Sequence, residues 1–181
     1  MLRTKRKYKD SLFVDLFARC DEAEENFLSL FNALHGSSFK KGEIPVKPLE
    51  LDNIIYTGLS NDLSMLVGSS LVVLVEHQST INENMPLRFL EYLAKLYEKI
   101  LPERSRYLKK AIELPVPEFF VLYNGEASYP QEKTLRFSDS LQKNLSDSGL
   151  AQSPLEISVK VYNINYREDN SLLKSCKTLK V

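Results

Sequence analysis

Hydrophobic positions along the chain change period several times, and each change predicts an element. Leu12, Phe13, Leu16 and Phe17 recur with the spacing of a helix face, and Asp10 stands where it can cap that helix. Phe27, Leu30, Phe31 and Leu34 predict a second helix from Glu22 to Leu34, with Gly36 as its stop. Lys40 to Pro48 carries a glycine among prolines and reads as a loop. Asn53 to Thr57 is a short strand. Leu63–Val67 and Leu71–Gln78, on either side of Gly68-Ser69-Ser70, predict a β-hairpin.

A helical period returns after the hairpin. Asn84 is placed to cap it, Pro86 sits in its first turn, and Leu90, Leu93, Tyr97 and Ile100 form its apolar stripe. Arg88, Glu91, Lys95 and Glu98 lie off that stripe, and Pro102 ends the helix. A basic connector of helical character, Arg104 to Lys110, leads to a strand from Glu118 to Tyr123 that stops at Asn124-Gly125. Phe137 to Leu145 predicts a short helix. Leu155 to Asn163 predicts a last strand with Ile157, Val159 and Val161 on one face, and a helix start follows over Glu168 to Cys176. Helix, hairpin, helix, strand, strand is the order of an α/β fold with a mixed sheet, and 181 residues is the size of a single domain spanning 1–181.

Composition narrows the classes. With 43% hydrophobic and 27% charged residues the chain can bury a core, which excludes wholesale disorder. A formal net charge of zero excludes a uniformly basic surface. It leaves room for one local basic strip, Arg3, Lys5, Arg6, Lys7 and Lys9, which reads either as a phosphate contact or as a solvated terminus. The two cysteines, Cys20 and Cys176, make neither a disulfide framework nor a metal spacing. The longest apolar run, Leu71 to Val75, is far too short for a membrane span, and no secretory signal is read; the expected location is the cytoplasm.

The hairpin concentrates the candidate chemistry. If Val67 pairs with Leu71, counting outward places Asp62 opposite Glu76, where paired Cβ atoms stand about 4.5–5.5 Å apart on one face. Gln78 shares that face by alternation, and His77 faces away. Two like charges placed opposite each other repel, and a hard divalent cation such as Mg²⁺ offsets this while activating water and stabilising charge on a phosphoryl group. The competing reading is that both acids are solvated at strand ends, and a register slip of one residue would separate them.

Asn61-Asp62-Leu63-Ser64, Glu76-His77-Gln78-Ser79-Thr80 and Asn84-Met85-Pro86-Leu87-Arg88 together resemble the core signature of the recombination-promoting nuclease / putative transposase family, a branch of the PD-(D/E)XK nuclease superfamily. Weaker pieces are Lys9 to Phe13, Leu122 to Gly125, Leu135 to Asp139 and Val161 to Asn165, so the resemblance spans nearly the whole chain. It implies a restriction-endonuclease-like αβββαβ core with a mixed central sheet flanked by helices, and Mg²⁺-dependent endonucleolytic cleavage of DNA phosphodiesters in recombination or transposition. Asp62 and Glu76 match the metal-binding acids, Gln78 stands in the motif's lysine position, and Asp10 matches an additional acid of the first core helix. Glutamine can hydrogen-bond but brings no positive charge. Family members also run longer, so the chain reads as C-terminally shortened relative to them.

Arg88 and Lys95, seven residues apart, share one side of their helix and are candidate contacts to DNA phosphate; the alternative is a solvated face with Glu91–Lys95 pairing. His77 reads as packing, His35 as a helix C-terminal cap, Tyr92 and Tyr97 as core or interface, Asn124-Gly125 as a turn, and Asp139 as a helix cap. The rival functions are a DNA-binding module without catalysis and a protein-interaction module. Cleavage of both strands would favour a homodimer.

Overall fold

The computed structural model describes residues 12–49, 63–141 and 153–180. Among these residues the backbone builds strands β1 (Val46–Pro48), β2 (Leu63–Val67), β3 (Leu71–Gln78), β4 (Val116–Tyr123), β5 (Glu132–Arg136) and β6 (Ser158–Asn163). They form one sheet in the order β1-β2-β3-β4-β6-β5. The β1–β2, β2–β3 and β5–β6 pairs are antiparallel, whereas β3–β4 and β4–β6 are parallel. Helices α1 (Ala23–His35), α2 (Met85–Ile100) and α3 (Ser171–Ser175) flank it. The result is a mixed α/β fold compatible with a restriction-endonuclease-like core.

Both faces of the central strand are covered, which explains its unbroken apolar run. Val73 and Val75 pack with Phe17, Phe27, Leu30, Phe31 and Leu172, from the N-terminal helical turns, α1 and α3. Val72 and Leu74 pack instead with Met85, Phe89, Tyr92 and Leu96 of α2. All four valine and leucine side chains are fully buried. At about 25 cal/mol per Å² of apolar surface, each contributes on the order of 1.5–3 kcal/mol.

Several expectations hold. Gly36 caps α1 in the left-handed conformation at φ 65°, where a β-carbon would be strained. The hairpin register has Val67 opposite Leu71 and Leu63 opposite Val75, turning at Gly68 with φ 63°. The helix start expected over Glu168 to Cys176 is α3, which Asn170 caps by accepting from the Leu173 amide.

Others are corrected. The end of the expected Lys40–Pro48 loop is β1, an edge strand whose Pro48 is tolerated because edge strands leave one side of the ladder unpaired. The Arg104–Lys110 connector contains one 3-10 turn, Ser105–Tyr107. In place of the Phe137–Leu145 helix the described residues show a 3-10 turn, Phe137–Ser140. Strand β5 has no sequence signal, because Leu135 is its one buried residue. The face of α2 that meets the sheet is Met85, Phe89, Tyr92 and Leu96; the expected stripe of Leu90, Leu93, Tyr97 and Ile100 is only partly buried. The strand expected at Asn53–Thr57 and the basic strip before Asp10 lie outside the described residues.

The C-terminal ends of the parallel strands converge, with Gln78 beside Tyr123 and Tyr123 beside Asn163. Asparagines bind this edge together. Asn163 Nδ2 donates to the Tyr129 carbonyl at 3.0 Å, Asn165 Nδ2 to the Gly125 carbonyl at 2.8 Å, and the fully buried Asn170 donates to the Asn163 carbonyl at 2.9 Å. Gly125 lies so close to the Ser79 carbonyl and the Tyr123 ring that a β-carbon would overlap both. Gly125→Ala is therefore expected to destabilise the fold by about 1–3 kcal/mol through overpacking, read as a lower urea midpoint with unchanged slope.

Candidate active site

The site is built where β3 leaves its covered core. Glu76 and Gln78 continue the face of Val72 and Leu74, toward α2, and are only 3% and 6% exposed. His77 alternates to the other face, where its ring stacks on Phe13 at 5.3 Å between centroids. The expected separation of His77 from its two neighbours therefore holds.

A carboxylate this deeply buried needs a cationic or hydrogen-bonding partner, since an unpaired charge in a low-dielectric interior is strongly unfavourable. Helix α2 supplies one. Arg88 Nη2 lies 3.3 Å from both Glu76 oxygens and donates to the Tyr92 hydroxyl at 2.6 Å. Arg88 and Tyr92 are four residues apart on the helix, which puts them on one face. The guanidinium also lies 5.6 Å from the Tyr92 ring centroid. Gln78 Nε2 points at the Met85 sulfur at 2.8 Å, and Arg88 Nη1 lies 3.6 Å from the same sulfur. Glu76, Gln78, Met85, Arg88 and Tyr92 thus form one polar cluster between the end of β3 and the first two turns of α2.

Burial pushes the Tyr92 phenol well above the ordinary tyrosine range, and the negative charge of Glu76 adds to this, against the opposing effect of Arg88. The phenol thus stays neutral and available as a hydrogen-bond donor to Glu76.

The sequence-selected residues divide. Glu76, Gln78 and Arg88 come together. Lys95 lies about 10 Å farther along the helix axis, by the rise of an α-helix, and lines a surface groove with Tyr97, Arg104, Arg106 and Tyr107. Arg88, the other candidate phosphate contact, has a side chain 31% exposed, with its guanidinium on Glu76. Asp62 and Asp10 lie outside the described residues. Met85 and Tyr92 were missed as members of the site, although the spacing of Met85, Arg88 and Tyr92 along one helix face carries that signal.

Among the described residues no group of three or more His, Cys, Asp or Glu side chains stands close enough to hold a metal ion. Mg²⁺ requires fewer, since one or two carboxylates suffice alongside water and substrate phosphate. Glu76 fits as one such ligand.

A mixed sheet flanked by helices, with an acidic residue at the end of its central strand, defines an α/β fold compatible with a restriction-endonuclease-like core. The family model described as "Putative transposase, YhgA-like" matches residues 62–181, and the chain belongs to that family, within the PD-(D/E)XK superfamily. No curated protein and no solved structure matches the chain. No helix among the described residues is long and apolar enough to cross a membrane.

The buried tyrosines make stability depend on alkaline pH. Above the ordinary tyrosine value of about 10 the unfolded chain loses phenolic protons that folded Tyr92 retains, so the folded state binds more protons and stability falls as pH rises. Tyr97, Tyr129 and Tyr162 are raised as well and act in the same direction. Urea unfolding between about pH 9 and about pH 11 is expected to show this decline, with a shallower slope in Tyr92→Phe. At neutral pH, Arg88→Met is expected to cost about 3 kcal/mol by leaving the Glu76 carboxylate without its guanidinium, measured by the same unfolding.

Proposed function

We propose that the protein is a metal-dependent endonuclease that hydrolyses DNA phosphodiester bonds in recombination or transposition. The observation that carries this reading is the Glu76 carboxylate, buried at the end of the central strand with Gln78 beside it on the same face. Membership of a transposase family implies interaction with DNA, and supports DNA as the substrate. Asp62, immediately before β2, and Glu76 are proposed as the metal-binding acids, with Asp10 a further acid. Mg²⁺, when bound, supplies Lewis-acid charge at the phosphoryl group and lowers the pKa of water. Gln78 orients water or phosphate by hydrogen bonding, and Lys95 contacts backbone phosphate. The protein is proposed to act in the cytoplasm, and cleavage of both strands would engage a homodimer.

A second reading is a DNA-binding or protein-interaction module without catalysis. Two observations favour it: Glu76 already has a cationic partner in Arg88, and Gln78 is neutral where the motif has lysine.

Incubation of supercoiled plasmid with the protein, with Mg²⁺ or with EDTA, separates the two. Nicking that needs Mg²⁺ and falls at least about 100-fold in both Asp62→Ala and Glu76→Gln is expected for the nuclease. Salt-sensitive DNA binding without nicking would establish the second reading instead.

A further inference from the structure

The geometry of the Glu76–Arg88 pair points to a role beyond holding a buried acid. We infer that Arg88 is an exchangeable counterion: it neutralises Glu76 until a divalent cation takes the carboxylate, then turns its guanidinium to the DNA phosphate. This rests on the nuclease reading and names the residue that supplies the positive charge Gln78 lacks.

Three observations carry it. First, the contact is one guanidinium nitrogen at 3.3 Å from both carboxylate oxygens. The strong form of this pair uses two nitrogens in parallel at about 2.7–2.9 Å, so the observed one is the more replaceable geometry. Second, exposure changes across the pair: the Arg88 side chain is 31% exposed and that of Glu76 is 4% exposed. Arginine therefore stands on the solvent side of the acid, where an incoming cation or phosphate meets it first. Third, the Tyr92 hydroxyl at 2.6 Å and the Met85 sulfur at 3.6 Å, which also contact the guanidinium, belong to its own helix. A small swing away from β3 therefore keeps the arginine on α2 and beside the site.

Charge supplies the drive. A divalent cation on Glu76 would repel the guanidinium only a few ångströms away, and a phosphate oxygen would attract it. Arginine suits the second position because its planar fork matches phosphate.

Mn²⁺ serves as the probe, with its affinity measured by calorimetry on the wild-type protein, Arg88→Met and Arg88→Lys, and with plasmid cleavage as a second readout. Removing the competing guanidinium is expected to tighten Mn²⁺ binding by at least about threefold and yet slow cleavage by at least about tenfold. Combining Gln78→Lys with Arg88→Met restores a cation beside Glu76 and is expected to recover much of the lost rate. Should Arg88→Met fail to fold, Arg88→Lys carries the comparison, because a shorter side chain holds the carboxylate less well and should also tighten Mn²⁺. Equal or weaker Mn²⁺ affinity in the folded variants overturns the exchange. If the wild type binds Mn²⁺ and cleaves, and the variants match it in both, the nuclease reading stands and the role of Arg88 falls. If the wild type neither binds nor cleaves, both fall.

Discussion

Strand β3 is sandwiched between two apolar layers, and its sequence has to satisfy both at once. Val72 and Leu74 complete one core and Val73 and Val75 the other. A strand so enclosed has no solvated face on which to place a charge, so polar residues are confined to its end. Glu76 and Gln78 occupy that end and are still almost fully buried. Strain of this kind is electrostatic: the carboxylate has left water and must find charge and hydrogen bonds within the fold. Helix α2 answers it with Arg88 and Tyr92, and the same helix covers the apolar part of the strand through Phe89 and Leu96. One helix thus serves both the packing and the polarity of the strand before it.

The family resemblance acquires a physical meaning in this arrangement. Its segments Glu76 to Thr80, Leu122 to Gly125 and Val161 to Asn165 are distant in sequence, yet they are the C-terminal ends of three neighbouring parallel strands. Gly125 is required by a close backbone approach to Ser79, and Asn163, Asn165 and Asn170 tie the strand ends to the loops that follow. These residues build the rim on which Glu76 and Gln78 stand. Their part is architectural: they fix the strand ends around Glu76 and Gln78. In open sheets with parallel strands, ligands commonly meet the protein at this edge.

Local signals in the chain were sufficient for some features. The hairpin register follows from two alternating runs around a turn whose Gly68 adopts positive φ, and with it the placement of Glu76 and Gln78 on one face and His77 on the other. The end of α1 at Gly36 follows from the same conformational freedom of glycine. Candidate residues Glu76, Gln78 and Arg88 were also legible, because they fall close together at the end of β3 and the start of α2.

Tertiary structure alone decided the rest. Strand β1 contains two of its three residues in exposed positions, and β5 buries one residue; both exist because β2 and β6 offer them an edge. Helix α2 has apolar residues over a wide arc, and periodicity could not say whether Phe89 and Tyr92 or Leu90 and Leu93 would meet the sheet, since the choice depends on the surface it packs against. The same rotation brings the partly exposed Arg88 within reach of Glu76. A sequence determines which side chains share a face through the fixed geometry of helix and strand. Which face is buried, and which charge meets which, depends on partners contributed by other parts of the chain.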